Sequence, residues 1–344
     1  MELFMVVLAC LIAAAAFKPN GNLCNFDSKA TIPLRGLLAI MIILHHLALY
    51  YKFDECIGSI HVSPIYYFKE MGLPLVAAFF FIAGYGLSKS LQAKGFDYLS
   101  GFLKRRLGKV MPEFLILTAL ALLISDVAGL VSLSEAAHNM AKGSPPLRFS
   151  WFIYAIIYVY IAFYMAAVAS HADGLRTGLL LSLLIVPYLA ATIVLGWGCQ
   201  WYRSIPAVSI GFFVALYERK STELLSRRYI LLCLAVCTFV CVFIMERMLC
   251  SRSISAMMFV VAVYVCMRLY SIKPYPILIL LGEVSLYIYL VHGTILQVVR
   301  GTTTNRYVAI VVVVLASVAV SVLIKGIRGF IENRDFRVYS KNRA

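Results

Sequence analysis

An arginine and a histidine inside one apolar stretch, and a polar stripe inside another, are the residues whose types and spacing could do chemistry. The stretch Pro33-Leu-Arg-Gly-Leu-Leu-Ala-Ile-Met-Ile-Ile-Leu-His-His-Leu places Arg35 and His46 eleven residues apart. At about 100° per residue this is three turns plus roughly 20°, so the two share a helix face, about 16 Å apart along the axis. His45 points about 100° away. His46 is expected near the middle of the span. Ionisable groups at membrane depth are costly, so they are usually paired or functional. A neutral imidazole there can take a proton as a general base, or it can tie two helices together by a hydrogen bond. These residues alone leave both readings open.

The second stretch ends Ser285-Leu-Tyr-Ile-Tyr-Leu-Val-His292, and Ser285, Tyr289 and His292 fall within about 60° of one another on a helix. Such a stripe can donate to a developing oxyanion or bond to a neighbouring helix. Lys104-Arg-Arg-Leu-Gly-Lys109 is a cationic cluster just before Pro112. Guanidinium forks match phosphate oxygens, and the same cluster would also anchor a membrane protein by its positive charge. In Phe79-Phe-Phe-Ile-Ala-Gly-Tyr85, aromatic bulk beside a glycine marks close helix packing.

The elements that must position these groups are membrane helices. The chain is 62% hydrophobic and 14% charged, where a soluble domain carries about a quarter charged residues. Its mean hydropathy is +0.89. Apolar runs fall near 2–17, 33–51, 68–88, 110–131, 150–170, 177–197, 205–217, 229–245, 254–270, 276–299 and 307–325. Each is a candidate crossing of a ~30 Å hydrocarbon core. The expected fold is therefore all-α and polytopic. The run at 2–17 has Glu2 in place of a basic start, so it reads as a retained helix rather than a signal peptide.

The net charge of +15 lies mostly in short connections. It reads as orientation and contact with anionic membrane lipids, and no nucleic-acid motif accompanies it. The segments 89–109 and 218–228 and the tail after 325 all fall on one side of an eleven-helix arrangement. That side is expected in the cytoplasm, with the N-terminus outside and the C-terminus inside. The outer loops 52–67 and 132–149 would rim a site open to the exterior. The nine cysteines show no CxxC pair and no Cys/His cluster, and Cys233, Cys237 and Cys241 read as packing residues on one helix face. No metal site is expected.

In their order and spacing these elements resemble the acyltransferase-3 family of integral membrane acyltransferases, over roughly residues 31–325. Arg35 and His46 match the family's Arg-x10-His pattern. Phe80, Phe81, Ala83, Gly84 and Tyr85 match Phe-Phe-x-x-Ser-Gly-Tyr/Phe, with Ala83 in place of the serine. Arg105, Arg106 and Lys109 match Arg-Arg-x-x-Arg, with lysine last. Trp151 and Phe152 match a Trp-Phe-Leu-like helix start, and Ser285, Ile288, Tyr289, Leu290 and His292 match Ser-x-x-Ile-Tyr-Leu-x-His. Many relatives carry glutamates a turn after the tryptophan. Here Ile156 and Ile157 stand there, and Glu113 and Asp126 are candidate substitutes. No stretch matches the soluble esterase-like domain that some relatives carry.

The resemblance implies a ten-helix transmembrane acyltransferase domain over 31–326; the apolar run and the charges add an extra N-terminal transmembrane helix and linker over 1–30 before it and a basic cytoplasmic tail over 327–344 after it. It implies transfer of an acyl group, acetyl in the first instance, from cytoplasmic acyl-CoA to a hydroxyl of a cell-surface or lipid-linked glycan. The setting would be a bacterial plasma membrane. Acyl-CoA would be a substrate, with no cofactor bound permanently. His46 would be the base. Tyr289, Ser285 and His292 would assist the oxyanion or brace the helix, and Arg35, Arg105, Arg106 and Lys109 would bind the coenzyme A phosphates. The alternative is a multi-helix transporter or flippase for a glycan, lipid or organic anion. That alternative predicts Gly/Pro-broken helices in two related halves, and the sequence shows no such symmetry.

Overall fold

The computed structural model describes residues 17–19, 25–57, 60–61, 63–127, 132–219 and 252–341. Helix α1 (Ser28–Tyr50) begins where the Asp27 carboxylate accepts the Lys29 and Ala30 amides at 2.9 and 3.1 Å, a side-chain cap on otherwise orphaned donors. This start precedes the apolar run, so Pro33 falls inside the helix, in its second turn, and costs it one backbone hydrogen bond.

There follow α2 (Gly72–Lys94), α3 (Phe102–Leu107), α4 (Met111–Val127), α5 (Leu133–Ala141), α6 (Trp151–Ala169), α7 (Gly174–Val194) and α8 (Ala207–Leu216). After these come α9 (Arg252–Leu269), α10 (Pro276–Glu283), α11 (Ser285–Thr302) and α12 (Arg306–Lys341), and a single helical turn, Pro64–Tyr67, lies between α1 and α2. Among the described residues six helices are long and apolar enough to cross a membrane, and α10 with α11, bent by 74°, make a seventh such span. Helices α4 and α8 have shorter apolar stretches, Met111–Leu123 and Ala207–Leu216. Each expected run within the described residues is thus helical, and the protein is an all-α polytopic membrane protein. Residues 2–16 of the first run and the run at 229–245 lie outside the described residues; Phe17, the last residue of the first run, is in a strand. Two small antiparallel ladders, Phe17–Pro19 with Tyr270–Ile272 and Cys56–Ile57 with Ile60–His61, join segments between helices. Leu179, Leu183, Leu315 and Leu323 are exposed on the outer helices, as lipid-facing positions require.

The helices alternate in direction, and contacts among their ends show it. At one end Glu218 accepts from the Tyr85 hydroxyl at 2.7 Å and pairs with Lys89 and Arg268. Burial opposes ionisation of Glu218, but the bonds from Lys89 and Tyr85 and the nearby cations hold its carboxyl below the usual carboxylate range. Lys325 pairs with Glu283 there, and Arg328 with Glu113 at 2.6 Å. This end carries the 104–109 cluster. At the other end Arg306 pairs with Glu55, Arg252 lies 3.6 Å from Glu70, and the Trp201 indole donates to the Gly143 carbonyl at 2.8 Å. The loops 52–67 and 132–149 share this second end, as the charge pattern predicts.

Glycines set the helix crossings. A Cβ on Gly84 of α2 would collide with the Val208 carbonyl of α8, and one on Gly211 of α8 would collide with the Phe81 carbonyl of α2. Gly36 of α1 and Gly282 of α10 meet in the same reciprocal way. Small residues let membrane helices approach closely enough for dispersion to hold them. Gly84→Ala is therefore expected to cost about 1–3 kcal/mol by overpacking against backbone. Gly86→Ala, whose added carbon meets nothing within 4 Å, is expected to be neutral. The thermal midpoints of the two variants in detergent check this, and equal midpoints would refute it.

Candidate active site

Helix α1 carries His46 one turn from its end at Tyr50. Along α1 the imidazole therefore lies nearer the end opposite the basic cluster than the centre of the helix, because α1 begins at Ser28. The Phe149 ring stacks on His46 with centroids 3.7 Å apart and planes at 15°. The His292 and His45 rings lie at 5.1 and 4.8 Å.

Phe149 reaches this position only through a strained backbone. Its φ is +64°, a left-handed conformation unusual for a bulky side chain. Tyr289 on α11 holds the strained residue by donating its hydroxyl to the Phe149 carbonyl at 2.5 Å. Gly293, one turn along, makes room: a Cβ there would lie 2.9 Å from both the Arg148 carbonyl and the Phe149 ring. Arg148 bonds the Tyr50 hydroxyl and lies over its ring.

His292 Nδ1 lies 2.8 and 3.1 Å from the Tyr289 and Ile288 carbonyls. That assigns the ring proton to Nδ1 and leaves Nε2 as an acceptor. Among the described residues His292 Nε2 and His46 Nδ1 are both buried without a hydrogen-bond partner. Unpaired buried polar atoms are unfavourable; of these two rings only that of His46 lines a cavity, while His292 is fully buried behind it. His45, by contrast, is pinned to the wall: its Nδ1 is 2.8 Å from the Phe68 carbonyl, and Gly72 leaves its ring just enough room. His46, Phe149, Tyr289, Glu70, Arg203 and Arg252 are among the residues lining a cavity of about 420 Å³ at this end.

A second cavity of about 300 Å³ lies toward the basic end and is lined by Arg35, Arg106, Lys109, Tyr160, Ser285 and Tyr289, among others. Arg35 is half-buried, and its Nε is buried with no hydrogen-bond partner among the described residues. Arg106 donates to the Tyr98 hydroxyl at 2.7 Å and sits over the Tyr160 ring at 5.7 Å. Arg105 does not line this cavity. Its guanidinium bonds the Tyr98 carbonyl at 2.8 Å and the Ser100 carbonyl, closing the 95–101 turn. Ser285 donates to the Gly282 carbonyl at 2.8 Å, bracing the bend between α10 and α11. Ile156 lines the cavity, whereas Glu113 is paired with Arg328 and Asp126 is exposed, so neither substitute for the relatives' acids enters it.

Tyr289 and Val76 line both cavities. A family model described as an acyltransferase domain, that of acyltransferase-3, matches residues 34–326. The chain belongs to the acyltransferase-3 family. Every lining residue named above falls within the matched span. The acyltransferase has no match among curated proteins or solved structures. Its reaction class requires an acyl donor and an acceptor substrate. Sequence reasoning missed several of the cavity-lining residues in this acyltransferase. Tyr160 and Arg203 looked like ordinary helix and loop positions. Phe149 left no signal, since nothing local announces a left-handed phenylalanine.

Proposed function

We propose that this acyltransferase moves an acyl group, acetyl in the first instance, from acyl-CoA at the basic end to a hydroxyl of a glycan or lipid-linked saccharide at the other end. The basic end faces the cytoplasm of a bacterial cell. The observation that carries this is the pair of cavities meeting at Tyr289, one holding His46 and the other Arg35, Arg106 and Lys109. Coenzyme A is anionic and cannot cross lipid, so its phosphates stay among the cations while the thioester arm reaches inward. His46 takes the proton of the acceptor hydroxyl as that oxygen attacks the thioester carbonyl. The carbon–sulfur bond then breaks and coenzyme A leaves as the thiolate. Tyr289 and His292 line or back the reacting centre, and Ser285 braces the helix that carries them.

The test is to reconstitute the purified protein in vesicles, supply acetyl-CoA labelled in the acetyl group on the basic side and glycan acceptors on the other, and look for labelled acceptor. Covalent label in the acceptor is expected. Unmodified acceptor crossing the vesicle membrane, with no labelled product, would favour the transporter instead. A transporter of the paired-repeat kind also needs a matching partner for the α10–α11 bend, and no second bent pair is present among the described helices.

A further inference from the structure

Beside the His46 cavity an apolar groove of about 530 Å³ runs between α7, α8 and α9. Ile193, Ile210, Met257 and Val261 line it, and Ile193 and Val261 are 56% and 41% exposed, so among the described residues the groove opens sideways from the helix bundle. It sits at the same end as His46, next to the C-terminus of α7 and the N-termini of α8 and α9. Arg203 lines both the groove and the His46 cavity. This guanidinium is half-buried and makes no ion pair or hydrogen bond among the described residues.

We propose that the groove seats the hydrocarbon tail of a lipid phosphate whose saccharide head is the acceptor, with Arg203 holding the phosphate at the mouth. The acceptor is then carried on a lipid rather than free in solution. This rests on the assignment of the acceptor to the His46 cavity. The physical logic divides the labour. Exchanging one lipid tail for another in an apolar groove is nearly neutral, because lipid is as apolar as the wall. Affinity and selectivity must therefore come from the phosphate, which an unpaired guanidinium near low-dielectric surroundings binds through parallel hydrogen bonds. The groove volume lies in the range of a single compact ligand, suiting a stretch of one tail rather than the two tails of a glycerophospholipid. Lateral opening lets such a lipid enter from the bilayer with its head already aimed at His46.

The probe is a photoactivatable polyprenyl phosphate added to the full-length protein in detergent micelles, with crosslinks mapped by mass spectrometry. Crosslinks are expected in 189–210 and 252–269. Yield should fall at least tenfold in Arg203→Gln and in Met257→Trp, with Ile210→Trp as the second groove-filling variant should the first not fold. Unlabelled polyprenyl phosphate should compete, and phosphatidylglycerol should not. Equal yield in the wild type and the folded variants, or equal competition by phosphatidylglycerol, would overturn the proposal. His46→Ala should label as the wild type does. Labelling at the groove with no acyl transfer to any saccharide would remove the assigned chemistry and leave the lipid site. Transfer to a free saccharide as efficient as to its lipid-linked form would remove the lipid site and leave the chemistry.

Discussion

His46→Ala is expected to lower kcat by about 100- to 10,000-fold, the range that general-base catalysis supplies, in a protein that still folds. The chemical effect is large because the other two imidazoles sit differently: the His45 ring is fixed by the Phe68 carbonyl and packed against Gly72, and His292 is fully buried and is not among the residues lining the His46 cavity. The structural effect is small because His46 is half-buried at a cavity wall and its Nδ1 makes no bond to be lost. Removing the ring forfeits its stack on Phe149, worth about 0.5–1.5 kcal/mol. Label transfer and the thermal midpoint, measured on the same preparation, separate the two effects. A folded His46→Ala protein with the wild-type rate would remove His46 from the mechanism.

The second large effect concerns the donor. Arg35→Gln with Arg106→Gln is expected to raise KM for acetyl-CoA about 100-fold, while kcat changes only a few-fold. Each charge-assisted contact is worth about 1.5–3 kcal/mol, and about 1.4 kcal/mol is a factor of ten. These contacts hold phosphates far from the reacting carbon, so they bind ground state and transition state alike. The KM of the wild type should also rise with salt, and that of the double variant less so. Arg105→Gln is the contrasting case. Its guanidinium serves the Tyr98 and Ser100 carbonyls, so KM should stay near the wild-type value. An unchanged KM in the double variant, or an equal rise in Arg105→Gln, would move the donor site elsewhere.

Helices and their alternation are legible in the sequence because both have local causes. Apolar length makes a span, and the charge at its ends orients it, so the loops 52–67 and 132–149 could be paired at one end without coordinates. The common face of Arg35 and His46 is equally local, since one unbroken helix joins them and its 3.6-residue period sets their relation. The motifs carried the family for the same reason: each lies within a single helix or at its mouth.

Tertiary structure alone decided the rest. Neighbouring Arg105 and Arg106 read alike in sequence, yet only Arg106 turns into the cavity, because consecutive helical residues point about 100° apart. Phe149 joins His46 across 103 positions of chain through a left-handed backbone, the Tyr289 hydroxyl and the space at Gly293. Glu113 is drawn to Arg328 at the far end of the chain, which takes it out of the site. The meeting of the two cavities at Tyr289, and of the groove with the His46 cavity at Arg203, depends on how closely whole helices cross. That closeness is set by backbone contacts at glycines such as Gly84 and Gly211. A crossing has two partners distant in the chain, and no periodicity within either one encodes their distance.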